Sequence, residues 1–349
     1  MDFSSLFINP ELLCLITEID EFKGLWQAQN TQNPERLQTL RQVATIESIG
    51  SSTRIEGAKL SNAEIEALLG NVGKTTLLSR DEQEVAGYAE VMDIVFDHYT
   101  EIAITENYLK QLHKTLLRHS EKDARHRGEY KKHPNNVEAF GPDGERLGVI
   151  FETATPFDTP ARMQDLLIWT RETLNDNSYH PLIVIAVFNV AFLAIHPFQD
   201  GNGRLSRVLA NLLLLKAGYS YIPYASLESI VEKNKDAYYL SLQRTQRTLH
   251  SDTIDWLPWL RFFLNALKRQ KDHLIEKTKA LKPYAQLPYE SRLIMHHVDS
   301  HHRITIRDAE KLITSITRPT IKNRLSQLVA QGFLIRRGRA RGTWYSKPE

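Results

Sequence analysis

The sequence predicts a mainly α protein with one small β-hairpin, followed by a C-terminal winged helix-turn-helix. Three observations carry this. Apolar residues recur at helical spacing over most of the first 280 positions. A Gly- and Pro-rich interruption from about 127 to 160 contains a short β-like run. The last sixty residues repeat neither pattern and read as three helices closed by a basic hairpin.

In order along the chain, Leu37, Leu40, Val43, Ile46 and Ile49 place a helix over 34–49. Ser61-Asn62-Ala63-Glu64 is a capping box, in which the serine oxygen takes an early backbone N–H and the glutamate reaches back, opening a helix through Leu69. Helices follow at 82–99 and 105–118. Pro142-Asp143-Gly144 is then a turn signal and Leu147-Gly148-Val149-Ile150-Phe151 a β-like run, so a hairpin is expected there. Helices resume at 160–175, 182–195, 204–216 and 234–249. Trp256 to Arg269 leads into a charged helix near 270–280, and Lys282-Pro283 and Leu287-Pro288 mark a linker.

The C-terminal region begins with a helix near 290–298 and continues through Ile304–Ile313. Thr317–Val329 is a third helix, with Pro319 suited to its first turn and Gly332 to its end. Phe333-Leu334-Ile335 and Thr343-Trp344-Tyr345-Ser346 read as strands flanking the arginines of 336–341. Lys322, Asn323, Arg324 and Gln327 are expected on the exposed face of the third helix.

Charge separates the same regions. The whole chain carries +2, but residues 301–349 hold 11 Lys and Arg against three acids, a net +8 that leaves −6 for the rest. A basic end on an acidic body fits a polyanionic partner such as DNA. Cys14 is the one cysteine, so no internal disulfide forms and a reducing cytoplasm is expected. Met1 to Ser5 lack the basic flank of a signal peptide. The most apolar run, 182–195, is too short to span a membrane and contains Asn189.

The most informative segment is His196-Pro197-Phe198-Gln199-Asp200-Gly201-Asn202-Gly203-Arg204-Leu205-Ser206-Arg207, set between two apolar helices. Gly201-Asn202-Gly203 just before a helix lets backbone N–H groups close on an anion, aided by the helix dipole. Arg204 and Arg207, three apart, face one side and suit phosphate oxygens. Asp200 is a hard oxygen ligand for Mg²⁺. His196 can accept a proton from a hydroxyl near pH 7. Together these parts describe nucleotidyl or phosphoryl transfer to an alcohol.

This string resembles the Fic family motif, His-Pro-Phe-x-(Asp/Glu)-Gly-Asn-Gly-Arg-x-x-Arg, at every fixed position. The resemblance implies a helical core that moves AMP from ATP to a Ser, Thr or Tyr hydroxyl of a target protein or of the chain itself. It implies His196 as base, Asp200 as the Mg²⁺ ligand, and Gly201, Asn202, Gly203 and Arg204 around the phosphates, with Arg207 at the γ-phosphate and Phe198 counted with the nucleotide set. Ser52-Thr53-Arg54-Ile55-Glu56-Gly57 is similar to the family's inhibitory pattern, in which Glu56 would pair with Arg207, with Ser52 one helical turn before it. Val149, Ile150, Phe151 and Glu152 resemble the flap that aligns a target chain. Tyr238, Tyr239 and Gln246 resemble the adenosine pocket. Arg127-Gly128-Glu129-Tyr130 is family-like without an assigned role. The resemblance covers roughly residues 1–270 and implies a homodimer.

The expected organisation is therefore an inhibitory helical region at 1–110, a catalytic core at 111–270, a linker helix at 271–288 and a winged helix at 289–349. Removal of AMP or transfer of phosphate at the same site stays open as an alternative outcome. So does a DNA-binding regulator whose core acts as a sensor.

Overall fold

The computed structural model describes residues 6–29, 34–71, 77, 79–140, 146–249, 251, 253–281, 284, 287–313, 316–338 and 342–348. It divides into two compact units, Met1–His273 and Leu274–Glu349. The turn signal Pro142-Asp143-Gly144, the linker pair Lys282-Pro283, and Arg339 and Arg341 lie outside the described residues.

The first unit is helical apart from one hairpin. Its elements are α1 Pro10–Gln29, α2 Pro34–Ile55, α3 Asn62–Leu69, α4 Arg80–His98, α5 Glu106–Leu116, β1 Val137–Phe140, β2 Arg146–Phe151, α6 Thr159–Asp176, α7 Pro181–Ile195, α8 Asn202–Lys216, α9 Leu227–Lys233, α10 Lys235–Gln246 and the part of α11 Leu257–Leu281 that precedes Leu274, where the second unit begins. The capping box at Ser61 and Glu64 forms as the sequence predicts, with the serine accepting from the Glu64 N–H and the glutamate accepting from the Ser61 N–H. Helix α1 is not predicted, and the apolar stretch after Trp256 and the charged one after 270 prove to be a single helix, α11, with no breaker between them.

Helix α7 is the centre of this unit. Every residue from Leu182 to Ile195 is buried, as a helix apolar on all sides must be. It packs against α6 and α8, while α8 also meets α4 and α2. Asn189, the one polar residue in that run, donates to the Ser206 carbonyl of α8 at 2.9 Å, and the Trp259 indole donates to the Ala186 carbonyl at 2.6 Å. Burying these groups is tolerable because each has a partner. Two rigid, buried helices thus fix both ends of the 196–201 loop.

The hairpin is antiparallel, pairing Val137 with Phe151, Glu138 with Val149 and Ala139 with Gly148. Strand β2 runs beside α10.

The second unit contains α12 Tyr289–His301, β3 Ile304–Thr305, α13 Ile306–Leu312, α14 Arg318–Ala330, β4 Ile335–Arg337 and β5 Trp344–Ser346. The strands form one sheet in the order β3-β5-β4, both pairings antiparallel. Ile294, Val298, Ile304, Ile321, Leu325, Leu328 and Leu334 build its own core. Among the described residues no helix is long and apolar enough to cross a membrane.

Candidate active site

The ends of α7 and α8 shape the loop between them. His196 stops α7 in the left-handed conformation (φ 52°), its N–H still bonded to the Phe192 carbonyl at 2.9 Å. Gly201, also left-handed (φ 79°), precedes α8, and no side chain caps that helix. The first N–H groups of α8 are therefore left without a side-chain partner, and they carry the positive end of the helix dipole. A cavity of about 440 Å³ opens here. His196, Asp200, Gly201, Asn202, Gly203 and Arg204 form one wall, and Tyr238, Tyr239 and Gln246 another.

His196 is oriented by one contact. Its Nδ1 lies 3.2 Å from the Leu193 carbonyl. A carbonyl can only accept, so the proton sits on Nδ1 and Nε2 keeps a lone pair. Burial pushes its pKa from 6.5 to about 4, against a smaller opposing effect of that carbonyl, so the ring is neutral at pH 7.

Asp200 is ionised. Burial alone would raise its pKa, but Arg204, the Gly201 N–H and Arg80 together lower it. Arg204 Nη2 and Arg80 Nη2 approach its two oxygens at 3.2 and 3.3 Å. Glu84 bridges the same two arginines, at 2.7 Å from Arg80 Nε and 3.1 Å from Arg204 Nη1. Arg204 is only 2% exposed, and its Nε has no hydrogen-bond partner.

Arg207 is buried beneath the cavity wall. Its Nε donates to Ser52 Oγ at 2.8 Å and its Nη2 to the Ser52 carbonyl at 2.9 Å and to Glu56 Oε1 at 2.8 Å. Its Nη1 has no partner. Glu56 stands just past the end of α2 and lies against the start of α8. A Cβ on Gly203 would fall 2.2 Å from Glu56 Oε1, so only glycine admits the carboxylate there. Ser52 is fully buried, and its role is to hold the guanidinium.

Several predicted site residues have other duties. Phe198 is fully buried and faces the core, stacked on His113 with ring centres 3.8 Å apart. It supports the loop from beneath and does not line the cavity. The Asn202 side chain is spent on the loop itself, accepting from the Phe198 N–H at 2.9 Å and donating to the Phe198 carbonyl at 2.7 Å. Its backbone, not its amide group, remains for a ligand. Phe151 reaches the cavity and Glu152 is exposed beside it, while Val149 and Ile150 contribute strand backbone. Tyr238 is buried and its phenol is pushed up to about 12 by that burial, whereas Tyr239 stays partly exposed.

Three contributors were not predicted. His113 accepts the Gly128 N–H at its Nδ1 (2.8 Å) and presents Nε2 to the Asp200 carbonyl at 3.0 Å. Lys131 donates to Ile195 O, Asn135 Oδ1 and Thr153 Oγ1, so one buried ammonium ties the end of α7 to the base of the hairpin. Asn135 in turn donates to the Phe198 carbonyl at 2.6 Å. Tyr130 bridges to Phe198. The segment 127–130 thus has a structural reason, which is to brace the loop. The signal for His113 was its place between Leu109, Leu112 and Leu116 on the apolar face of α5.

The comparisons with known proteins agree with this geometry. Residues 103–214 match the Fic/DOC family. The proteins named protein adenylyltransferase Fic from Drosophila mojavensis and Drosophila grimshawi are each 25% identical over 273 residues, 76% of this chain. The chain spans about half the length of these curated relatives, 48% and 50% respectively. A Fic family protein from Desulfovibrio desulfuricans G20 superposes with a TM-score of 0.64 at 24% identity, covering 99% of this chain and 98% of its own. A Fic domain containing signaling protein from Bacteroides thetaiotaomicron gives 0.61 at 25% identity, covering 75% of this chain and 97% of its own. The fold and the loop define a helical protein with a polar turn between two buried helices, the second of which starts without a side-chain cap. The match over residues 103–214 makes this part of the chain similar to a Fic domain.

Proposed function

We propose that this protein is an adenylyltransferase that moves AMP from Mg-ATP to a Ser, Thr or Tyr hydroxyl of a target protein or of itself, and that Glu56 restrains it. The observation that carries this reading is the Glu56 carboxylate on Arg207 at 2.8 Å, pressed against Gly203 where α8 begins. An anion at an uncapped helix start with a buried guanidinium beneath marks a place where phosphate is favoured. The unpartnered Nε of Arg204 and Nη1 of Arg207 support the same reading, because unsatisfied buried donors are costly without a ligand.

In the reaction, the target oxygen bonds to the α-phosphorus and the bond to the β-phosphate oxygen breaks, releasing pyrophosphate. His196 Nε2 takes the hydroxyl proton. The triphosphate's negative charge raises the imidazole's proton affinity from its present low value, toward the range useful for a base. Asp200 fits a Mg²⁺ ion because it is an ionised carboxylate on the cavity wall and Mg²⁺ takes its remaining ligands from phosphate and water. When bound, the ion neutralises phosphate charge. Tyr238, Tyr239 and Gln246 suit the flat adenosine end. The hairpin edge suits an extended target segment, which strand backbone can pair without reading its sequence.

Intact-mass measurement after Mg-ATP treatment tests this. Glu56→Gly should gain adenylate in 329-Da steps calculated from AMP minus water (about 329) while the Glu56→Gly/His196→Ala double variant gains none. A Glu56→Gly protein that labels no better than the parent would end the restraint reading.

For the second unit, we read the helices, sheet and exposed Arg336 as a winged helix-turn-helix that contacts a nucleic-acid backbone. Its support is α14, whose Lys322, Asn323 and Gln327 are exposed while Ile321, Leu325 and Leu328 face the core.

A further inference from the structure

Glu56 is kept in place by more than its own ion pair. Two side chains from the α9–α10 elbow grip the last turn of α2, on the two residues that precede it. Lys235 Nζ donates to the Ile55 carbonyl at 2.7 Å. Glu232 holds Arg54 in a two-pronged pair, with Nε to Oε1 at 2.7 Å and Nη2 to Oε2 at 3.0 Å. Arg54 Nη1 also donates to the Leu60 carbonyl and to Asn62 Oδ1, both at 3.1 Å, so one guanidinium closes the turn into α3 as well.

The sequence makes room for this. A Cβ on Gly50 would stand 2.6 Å from Arg54 Nη1 and 2.7 Å from Asn62 Oδ1. Glycine inside a helix is destabilising relative to alanine. Here it lets the arginine lie flat across α2.

We propose that Lys235, Arg54 and Glu232 are positioning residues that clasp the end of α2, set how often Glu56 covers the start of α8, and make the α9–α10 elbow the point from which the restraint is released. The inference rests on the reading of Glu56 as a restraint and extends it to what holds that glutamate.

The physical case has three parts. The last carbonyls of a helix lack intrahelical partners and carry its negative end, so an ammonium on Ile55 O is favoured twice. Arg54 and Glu232 are both about three-quarters buried (25% and 29% exposed), which strengthens a fork-to-fork pair and gives it direction. Finally, Arg54, Glu232 and Lys235 do not line the cavity, so their loss removes no substrate contact. The elbow is also continuous with the cavity wall. Lys235 Nζ lies 5.9 Å from the centre of the Tyr239 ring, one turn along α10. An occupant that shifts that ring acts on the same turn that grips Ile55.

The test uses the full chain and two readouts. Hydrogen exchange over residues 52–58 reads the clasp directly. It should be faster in Arg54→Met, Glu232→Gln and Lys235→Met than in the parent. His196-dependent labelling from Mg-ATP should rise about five-fold in each single variant, the equivalent of about 1 kcal/mol at 1.4 kcal/mol per tenfold. It should stay below Glu56→Gly and add nothing to it. Mere structural damage lowers labelling and cannot produce this rise. Unchanged exchange over 52–58 overturns the clasp whatever the labelling shows. So does labelling at or below the parent level while Glu56→Gly is active. A Glu56→Gly protein that never labels, with faster exchange in the clasp variants, ends the transferase reading and leaves the clasp standing.

Discussion

The arginines of α8 and the basic residues of the second unit differ in what surrounds them. Arg204 and Arg207 are 2% and 5% exposed, and acids from α4 and from the end of α2 come to meet them. In the second unit, Arg318 pairs with Glu310 while its side chain stays 56% exposed, Arg324 pairs with Glu290, and Lys347 pairs with Asp299. A surface pair contributes about 0–1 kcal/mol. A buried charge costs several kcal/mol unless it is paired, and replacing such pairs with apolar residues often stabilises a protein. Charge retained in the interior with donors still unpaired is thus better explained by a ligand than by folding. The +8 of the C-terminal region says less, because part of it is neutralised by neighbours on the same surface.

The largest effect expected is at the base. His196→Ala, placed on Glu56→Gly so that there is transfer to lose, should lower it by about 10²–10⁴. Its melting temperature should stay near that of the single variant. A loss of transfer together with a collapse of melting would make His196 a structural residue.

Next comes a direct contrast between the two regions. Arg204→Met leaves the buried Glu84 and the partly exposed Asp200 with less counter-charge and should cost roughly 3 kcal/mol. Arg318→Met should change stability by less than about 1 kcal/mol. The urea midpoint of each variant checks this. Equal shifts would erase the distinction between interior and surface arginines.

These predictions draw on parts of the molecule that were unequally legible in the sequence. The loop was legible because its chemistry is contiguous, twelve residues between two apolar runs. The pairing of Glu56 with Arg207 was legible through the family pattern, although 151 residues separate them. The capping box at Ser61 and Glu64 is local and formed as expected. What failed depended on tertiary approach. Phe198 looked like a site residue by its place in the string, but the pairing of Tyr130 and the ring of His113 turn it inward. His113, Lys131 and Lys235 act through backbone carbonyls, and sequence spacing carries no signal for such partners. Strand β4 starts at Ile335 rather than Phe333 for a local reason. The Phe333 and Leu334 N–H groups both turn back to the Leu328 carbonyl, closing α14 as a Schellman-type end around Gly332 before the strand can begin.

A smaller effect is expected from pH. Burial lowers the His113 pKa from 6.5 to about 4. The unfolded chain therefore takes up a proton first as pH falls, so stability drops through the window from about 6.5 to about 4, by on the order of 3 kcal/mol if His113 acts alone. His196 adds to the slope in the same direction. Melting curves across this window should show the loss, and His113→Phe should flatten it even though its absolute stability is lower. A slope unchanged in that variant would assign the titration to other groups.

The smallest effects belong to the surface charges, and they can sharpen the contrast within the second unit itself. Lys322 and Arg324 are neighbours on α14, but Lys322 is exposed while Arg324 is half-buried, with Glu290 3.6 Å away. If the unit contacts a DNA backbone, each cation that neutralises a phosphate contributes about 0.9 to the slope of log affinity against log salt. Lys322→Ala should lower that slope by about 1 and weaken binding to all sequences alike. Arg324→Ala should change it less, because its charge is already shared with Glu290. Binding to a mixed-sequence duplex at several salt concentrations reads both. Equal losses would mean that Arg324 leaves Glu290 on binding, and affinity without salt dependence would mean that the partner of this surface is not a polyanion.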